Sequence, residues 1–202
     1  MPGKPEKKYH AVVIGASAGG VVAVKTLLQA LPEKFPLPIL IVQHISPETG
    51  RGMEQLLRKF AALSVKEADE QDEIKPGTVY LAPPNYHLLV EPDLTVSLSA
   101  EEPVSYARPS IDLLFESAAI AYGPALIGVI LTGANMDGRN GLKTIKEMGG
   151  LAIIQDPSDA EIDSMPLAAL AAVKPDYIVK LADLAGLLIK LAGVQENRDV
   201  CI

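Results

Sequence analysis

Ser17, His44 and Asp137 each follow the end of an apolar run by a few residues, the runs being Ala11–Ile14, Ile39–Val42 and Ala125–Leu131. A hydroxyl, an imidazole and a carboxylate together can activate a nucleophile. The imidazole takes the hydroxyl proton, and the carboxylate fixes the ring tautomer and steadies the imidazolium. If the three runs are parallel strands, all three groups emerge at one edge of a sheet, where open α/β sheets bind their ligands.

The serine lies in Gly15-Ala16-Ser17-Ala18-Gly19-Gly20, which satisfies G-x-S-x-G, a turn whose small residues let the backbone approach a reacting group closely. The helix expected after it offers free N–H groups and a positive dipole end near the serine oxygen. A phosphate turn fits less well, since neither G-x-G-x-x-G nor a following Gly-Lys-Ser/Thr is present. His44 directly follows its strand, and neutral imidazole suits the role of base. His10 opens the first strand, at the opposite end of the sheet, and His87 falls in a short β segment. Asp137 reads equally as a helix cap or as the orienting acid. Taken with Ser17 and His44, the second reading prevails. The order Ser, His, Asp, with the nucleophile after the first strand, separates this chain from the α/β-hydrolases while leaving the mechanism intact.

Positioning these residues requires alternating strands and helices. Val21, Val24, Leu27, Leu28 and Leu31 recur at helical spacing and stop at Pro32; Met53, Leu56, Leu57 and Phe60 repeat the pattern after the second strand. This β-α-β-α opening implies a parallel sheet. Across Ser64–Leu98 the short runs Val79–Ala82, His87–Glu91 and Thr95–Ser99, separated by Pro-rich turns, predict an antiparallel insertion. Helical spacing resumes at Ile111, Leu114 and Phe115, with Pro109 near the first helical position. Strands at Leu151–Ile154 and Tyr177–Val179 and helices at Asn140–Met148, Pro166–Ala172 and Asp183–Leu191 follow. The expectation is one doubly wound, mostly parallel α/β domain over residues 9–194 with a small antiparallel β-hairpin insertion. Residues 1–8 and 195–202 read as tails.

The composition supports a compact globule: 49% of the 202 residues are hydrophobic and 21% charged. A net charge of -7 argues against nucleic acid as the main partner. No run is long enough to suggest a membrane helix, and the polar N-terminus lacks a signal core, so a cytoplasmic location and no membrane insertion are expected. Cys201, the single cysteine, is compatible with a reducing compartment.

Several segments together resemble the catalytic domain of the protein-glutamate methylesterase (CheB) family. They are Val13 to Gly20, Val42-Gln43-His44, Val79-Tyr80-Leu81-Ala82-Pro83, Arg108 to Phe115, Leu131-Thr132-Gly133 with Asp137-Gly138, and Gln155-Asp156 before Met165-Pro166. The resemblance implies a cytoplasmic hydrolase of chemotaxis signal transduction that acts on the helices of methyl-accepting chemoreceptors. It would release methanol from glutamate methyl esters, and some members also deamidate glutamine. Ser17 would be the nucleophile, His44 the base and then acid, and Asp137 the orienting acid, with no metal or organic cofactor. Ala18, Ala134 and Met136 are the expected oxyanion and pocket positions. The family commonly has Thr at position 18 and Met at position 134.

Residues 1–8 are too few for the receiver domain that normally precedes the esterase in that family, so the chain reads either as a free-standing esterase, for which a separate receiver protein is one candidate regulator, or as a fragment of a longer chain. For docking an acidic receptor, Arg51, Arg108 and Arg139 are candidates, with Arg58 and Lys59 nearby in sequence. Two other classes compete, a non-catalytic nucleotide- or protein-binding α/β module and a nucleotide-dependent oxidoreductase. None of the six tyrosines has a lysine four residues later, so a short-chain dehydrogenase dyad is missing.

Overall fold

The computed structural model describes residues 9–44 and 52–194. Strand β1 (Ala11–Ala16) is buried at every position and lies near the middle of a seven-stranded sheet. Around it are β2 (Ile39–Gln43), β3 (Ser64–Glu67), β4 (Thr78–Leu81), β7 (Leu126–Ile130), β8 (Leu151–Gln155) and β9 (Tyr177–Val179), in the order β3-β4-β2-β1-β7-β8-β9. Every pairing in this sheet is parallel. β5 (His87–Val90) and β6 (Val96–Ser99) form a separate antiparallel hairpin.

Both faces of the sheet are covered, which explains why its central strands read as continuous apolar runs rather than alternating ones. Val12, Ile14, Ile39 and Ile41 face one layer, with α1 (Gly20–Ala30) and α6 (Leu181–Leu191). Ala11, Val13, Leu40 and Val42 face the other, which holds α3 (Ile111–Tyr122), α4 (Arg139–Glu147), α5 (Ser164–Ala172) and the hairpin. Each large side chain fully buried there contributes about 1.5–3 kcal/mol relative to exposure. The short α2 (Met53–Arg58) flanks β3.

The chain leaves β1 toward β2 on one side and later returns to β7 on the other, so the order reverses at β1 and β7. The loops after these two strands, carrying Ser17 and Asp137, therefore share one crevice.

Two sequence expectations are corrected. The run Val79–Ala82 is not part of the antiparallel insertion: Thr78–Leu81 is a parallel strand between β2 and β3. Val79 and Leu81 fill one layer and Tyr80 the other, a two-sided burial that a short run bounded by Gly77 and Pro83 does not announce. Helix α3 starts later than Pro109 implies. Ser110 is its N-cap, accepting from the Leu113 N–H, because a hydroxyl can receive that bond and a proline ring cannot.

α3 and α4 pack closely because Gly141 carries no side chain. A Cβ there would lie 2.5 Å from Phe115 Cβ and 2.9 Å from the Asp112 carbonyl oxygen. Gly141→Ala is expected to lower stability by about 2 kcal/mol through overpacking, seen as a lower urea midpoint at unchanged slope. An unchanged midpoint would mean that the helices separate freely.

Candidate active site

Ser17 stands in the turn between β1 and α1. Its N–H donates to the Thr132 carbonyl at 3.0 Å, joining the turn to the end of the β7 side. Its carbonyl accepts from the Gly20 N–H at 2.8 Å and from Gln43 Nε2 at 2.7 Å. Gln43 Nε2 also reaches the His44 carbonyl, so one amide holds the Ser17 turn and the histidine together. A Cβ at Gly20 would collide with Gln43 Oε1, and one at Gly133 would come within 2.9 Å of Ser17 Cβ. The N–H groups of Ala18 and Gly19 have no acceptor among the described residues, which leaves them available to a developing oxyanion.

The His44 N–H donates to the Ala16 carbonyl at 2.9 Å, so the parallel β1–β2 pairing carries the histidine up beside Ser17. Its ring Nε2 lies 3.0 Å from Asp137 Oδ2. The approach is close but off the N–H axis, a polar contact rather than an aligned hydrogen bond. Ring Nδ1 lies 2.9 Å from the Asn135 side-chain nitrogen. With Nε2 against Asp137, Nδ1 is the ring nitrogen that the carboxylate leaves unengaged.

Asp137 is fully buried and accepts four hydrogen bonds besides its histidine contact. Oδ2 receives the Ile111 N–H at 2.7 Å; Oδ1 receives the Asp112 N–H at 3.0 Å, the Ser110 hydroxyl at 3.1 Å and the Gly138 N–H at 2.9 Å. It thus caps α3 rather than its own helix. Burial alone would push its carboxyl up, but His44 and the Asp112 and Ile111 N–H groups together outweigh burial and hold it below the ordinary value. In return, Asp112 caps α4, accepting from the Gly141 N–H at 2.7 Å and Asn140 Nδ2 at 3.1 Å. The Asp112 carboxyl is pushed up, chiefly by burial; the neighbouring Asp137 charge adds to this and the Gly141 N–H opposes it.

Behind Asp137 lies His87, wholly buried. Its Nδ1 accepts the Ser110 N–H at 3.1 Å, which places its proton on Nε2, 3.2 Å from the Glu102 carbonyl. The residues that reading the sequence missed are therefore Gln43, Ser110, Asp112, His87 and Asn135. Ser110, in a helix-capping position before Ile111, carried a usable signal. The rest depend on contacts between segments 23 to 91 residues apart.

The remaining candidates are more scattered. Ala18, Ala134 and Met136 are exposed around the site. Arg139 opens α4 with Nη1 3.3 Å from Met136 Sδ. Arg108 Nη1 donates to the Ala100 and Glu101 carbonyls at 2.8 and 2.9 Å. Arg58 pairs with Glu54 and donates to the Val65 carbonyl. Arg51 lies outside the described residues, as do the tails. His10 immediately precedes β1 at the far end, its N–H on the Ala125 carbonyl. A groove lined by Gln43, Met53, Leu81, Ala82, Pro84 and Pro109 opens at the same sheet edge as His44. Among the described residues no cluster of three or more His, Cys, Asp or Glu could hold a metal ion, and no helix is long and apolar enough to cross a membrane.

A doubly wound parallel sheet with serine, histidine and buried aspartate at its switch point has the architecture of an α/β hydrolytic enzyme. The chain belongs to the CheB methylesterase family, whose model matches residues 12–188. A Leptospira interrogans protein named as a protein-glutamate methylesterase/protein-glutamine glutaminase is 54% identical, over 91% of this chain and 95% of that one. The Myxococcus xanthus protein-glutamate methylesterase FrzG is 40% identical over 95% of this chain, which spans 57% of its length. The crystal structure of the Thermotoga maritima CheB methylesterase catalytic domain superposes with a TM-score of 0.87 at 33% identity, covering 91% of this chain and 98% of that one.

The lowered Asp137 carboxyl sets a pH dependence of stability. Its contribution is fully present above the ordinary carboxylate range of about 4 and is lost as pH falls through the lower folded value. Asp137→Asn should therefore cost about 2 kcal/mol near neutrality, with the gap to the parent closing as pH falls below the ordinary carboxylate range in urea titrations. An equal gap at both ends would show that the carboxylate charge is not what the α3 N-terminus holds.

Proposed function

We propose that this protein hydrolyses glutamate methyl esters on the cytoplasmic helices of chemoreceptors, releasing methanol, and deamidates receptor glutamine by the same route. The observation that carries the reading is the buried Asp137 carboxylate 3.0 Å from His44 Nε2, at the crevice that also holds Ser17. Family membership and the names of the relatives support the substrate class.

In this mechanism Ser17 Oγ attacks the ester carbonyl as its proton passes to His44 Nδ1. Asp137 stabilises the imidazolium through Nε2. The N–H groups of Ala18 and Gly19, at the positive end of α1, receive the oxyanion. Methanol departs with the proton from Nδ1, leaving an acyl-serine. A water then gives its proton to Nδ1 and its oxygen to the acyl carbon, which frees glutamate and restores the Ser17 hydroxyl. For glutamine the leaving group is ammonia. The protein acts in the cytoplasm, where those receptor helices lie.

The test is methanol release from a methylated chemoreceptor. Ser17→Ala and His44→Ala should each lose activity by about a thousandfold or more, and the double variant little further, because the groups act as a unit. Release that persists in Ser17→Ala would remove the nucleophile assignment. Docking is proposed to use Arg108 and Arg139. Arg139→Ala should raise KM several-fold at low salt and less at high salt, as screened charge attraction requires. A KM unaltered across the salt series would remove Arg139 from the interface.

A further inference from the structure

We propose that Asn135 is a latch on the catalytic base: its side-chain amide occupies the His44 Nδ1 lone pair that Ser17 needs, and the site becomes reactive only when that amide swings away. The inference rests on the triad reading above and adds a positioning residue to it.

The amide's orientation is fixed by its other end. Asn135 Oδ1 accepts the Asp137 N–H at 3.2 Å, which turns the NH2 group toward the ring, 2.9 Å from Nδ1. An NH2 group can only donate, so Nδ1 is the unprotonated acceptor and the ring proton sits on Nε2 beside Asp137. A ring nitrogen of this kind offers one in-plane lone pair. While Asn135 holds it, the Ser17 hydroxyl cannot use it, and among the described residues no hydrogen bond joins Ser17 Oγ to His44.

The contact also opposes the chemistry directly. Once Nδ1 takes the Ser17 proton it becomes a donor, and the Asn135 NH2 would then face another N–H. Asn135 therefore favours the neutral ring over the imidazolium that attack creates. The latch is placed to open, because Asn135 is only half-buried and stands between the exposed Ala134 and Met136 on the loop before α4. A receptor helix seated on that loop would displace it. Methanol departure, which carries the proton off Nδ1, restores the lone pair to which Asn135 returns.

The experiment follows labelling of the full chain by a fluorophosphonate. In that reaction Ser17 Oγ bonds to phosphorus, fluoride leaves and the hydroxyl proton passes to Nδ1. Asn135→Ala and Asn135→Gly should each label about three- to tenfold faster than the parent, the equivalent of one ordinary hydrogen bond. In 15N spectra the His44 Nδ1 resonance should move toward that of an unbonded lone pair while Nε2 stays protonated, a change that a purely structural role would not produce. Ser17→Ala and His44→Ala should not label. Cooperatively folded Asn135 variants that label no faster than the parent, with Ser17→Ala silent, would overturn the latch and leave the triad standing. Parent-like labelling of Ser17→Ala would overturn both.

Discussion

Two carboxylates exchanged between two helix ends hold this site in place. Asp137, in the loop before α4, closes the N-terminus of α3, and Asp112, in the first turn of α3, closes the N-terminus of α4. The cap position of α4 is Gly138, which has no side chain to serve it, so Asp112 supplies the missing acceptor from across the interface. Each negative charge sits at the positive end of a helix dipole, which offsets much of what burial costs it. The arrangement requires the close helix contact that Gly141 permits, and it seats Asp137 beside His44.

The Ser17 side is built differently. Ser17 is held through its backbone, by Thr132 from the β7 end and by the Gln43 amide from β2, while its hydroxyl makes no bond among the described residues. Thr132 is itself tied to the Gln155 side chain and, through its hydroxyl, to Ile162, so the turn is braced by strands on both sides of β1. Rigid backbone and an unengaged hydroxyl suit a group that must meet a substrate in one geometry. The loop carrying Asn135 is the more open wall of the site, with Ala134 and Met136 facing solvent beside it.

Reading the sequence located the strands that carry Ser17, His44 and Asp137 because the central strands are apolar on both faces and end in turn chemistry that local pattern exposes. It misplaced Thr78–Leu81, whose length and flanking Gly and Pro suit a hairpin as well as a sheet strand, and it did not anticipate β3, whose Ser64–Glu67 is a polar edge segment. Asp137 was legible as either cap or orienting acid; it caps a helix, though that helix is α3, and it lies 3.0 Å from His44 Nε2. Nothing local to residues 87, 112 or 135 records their partners. His87 meets Ser110, Asp112 meets Gly141, and Asn135 meets His44 only once the sheet has brought the loops together.

The double employment of Asp137 bears on how related sequences are read. An aspartate that closes a helix start from another loop is kept by the demands of folding whether or not any ester is cleaved, so its presence certifies architecture rather than activity. The Ser17 hydroxyl supports nothing else among the described residues, and the polar contacts of the His44 ring among them are to Asp137 and Asn135. In a descendant that kept this fold after giving up its chemistry, the acid would remain as a relic of structure, and the serine and histidine would be the first positions free to drift.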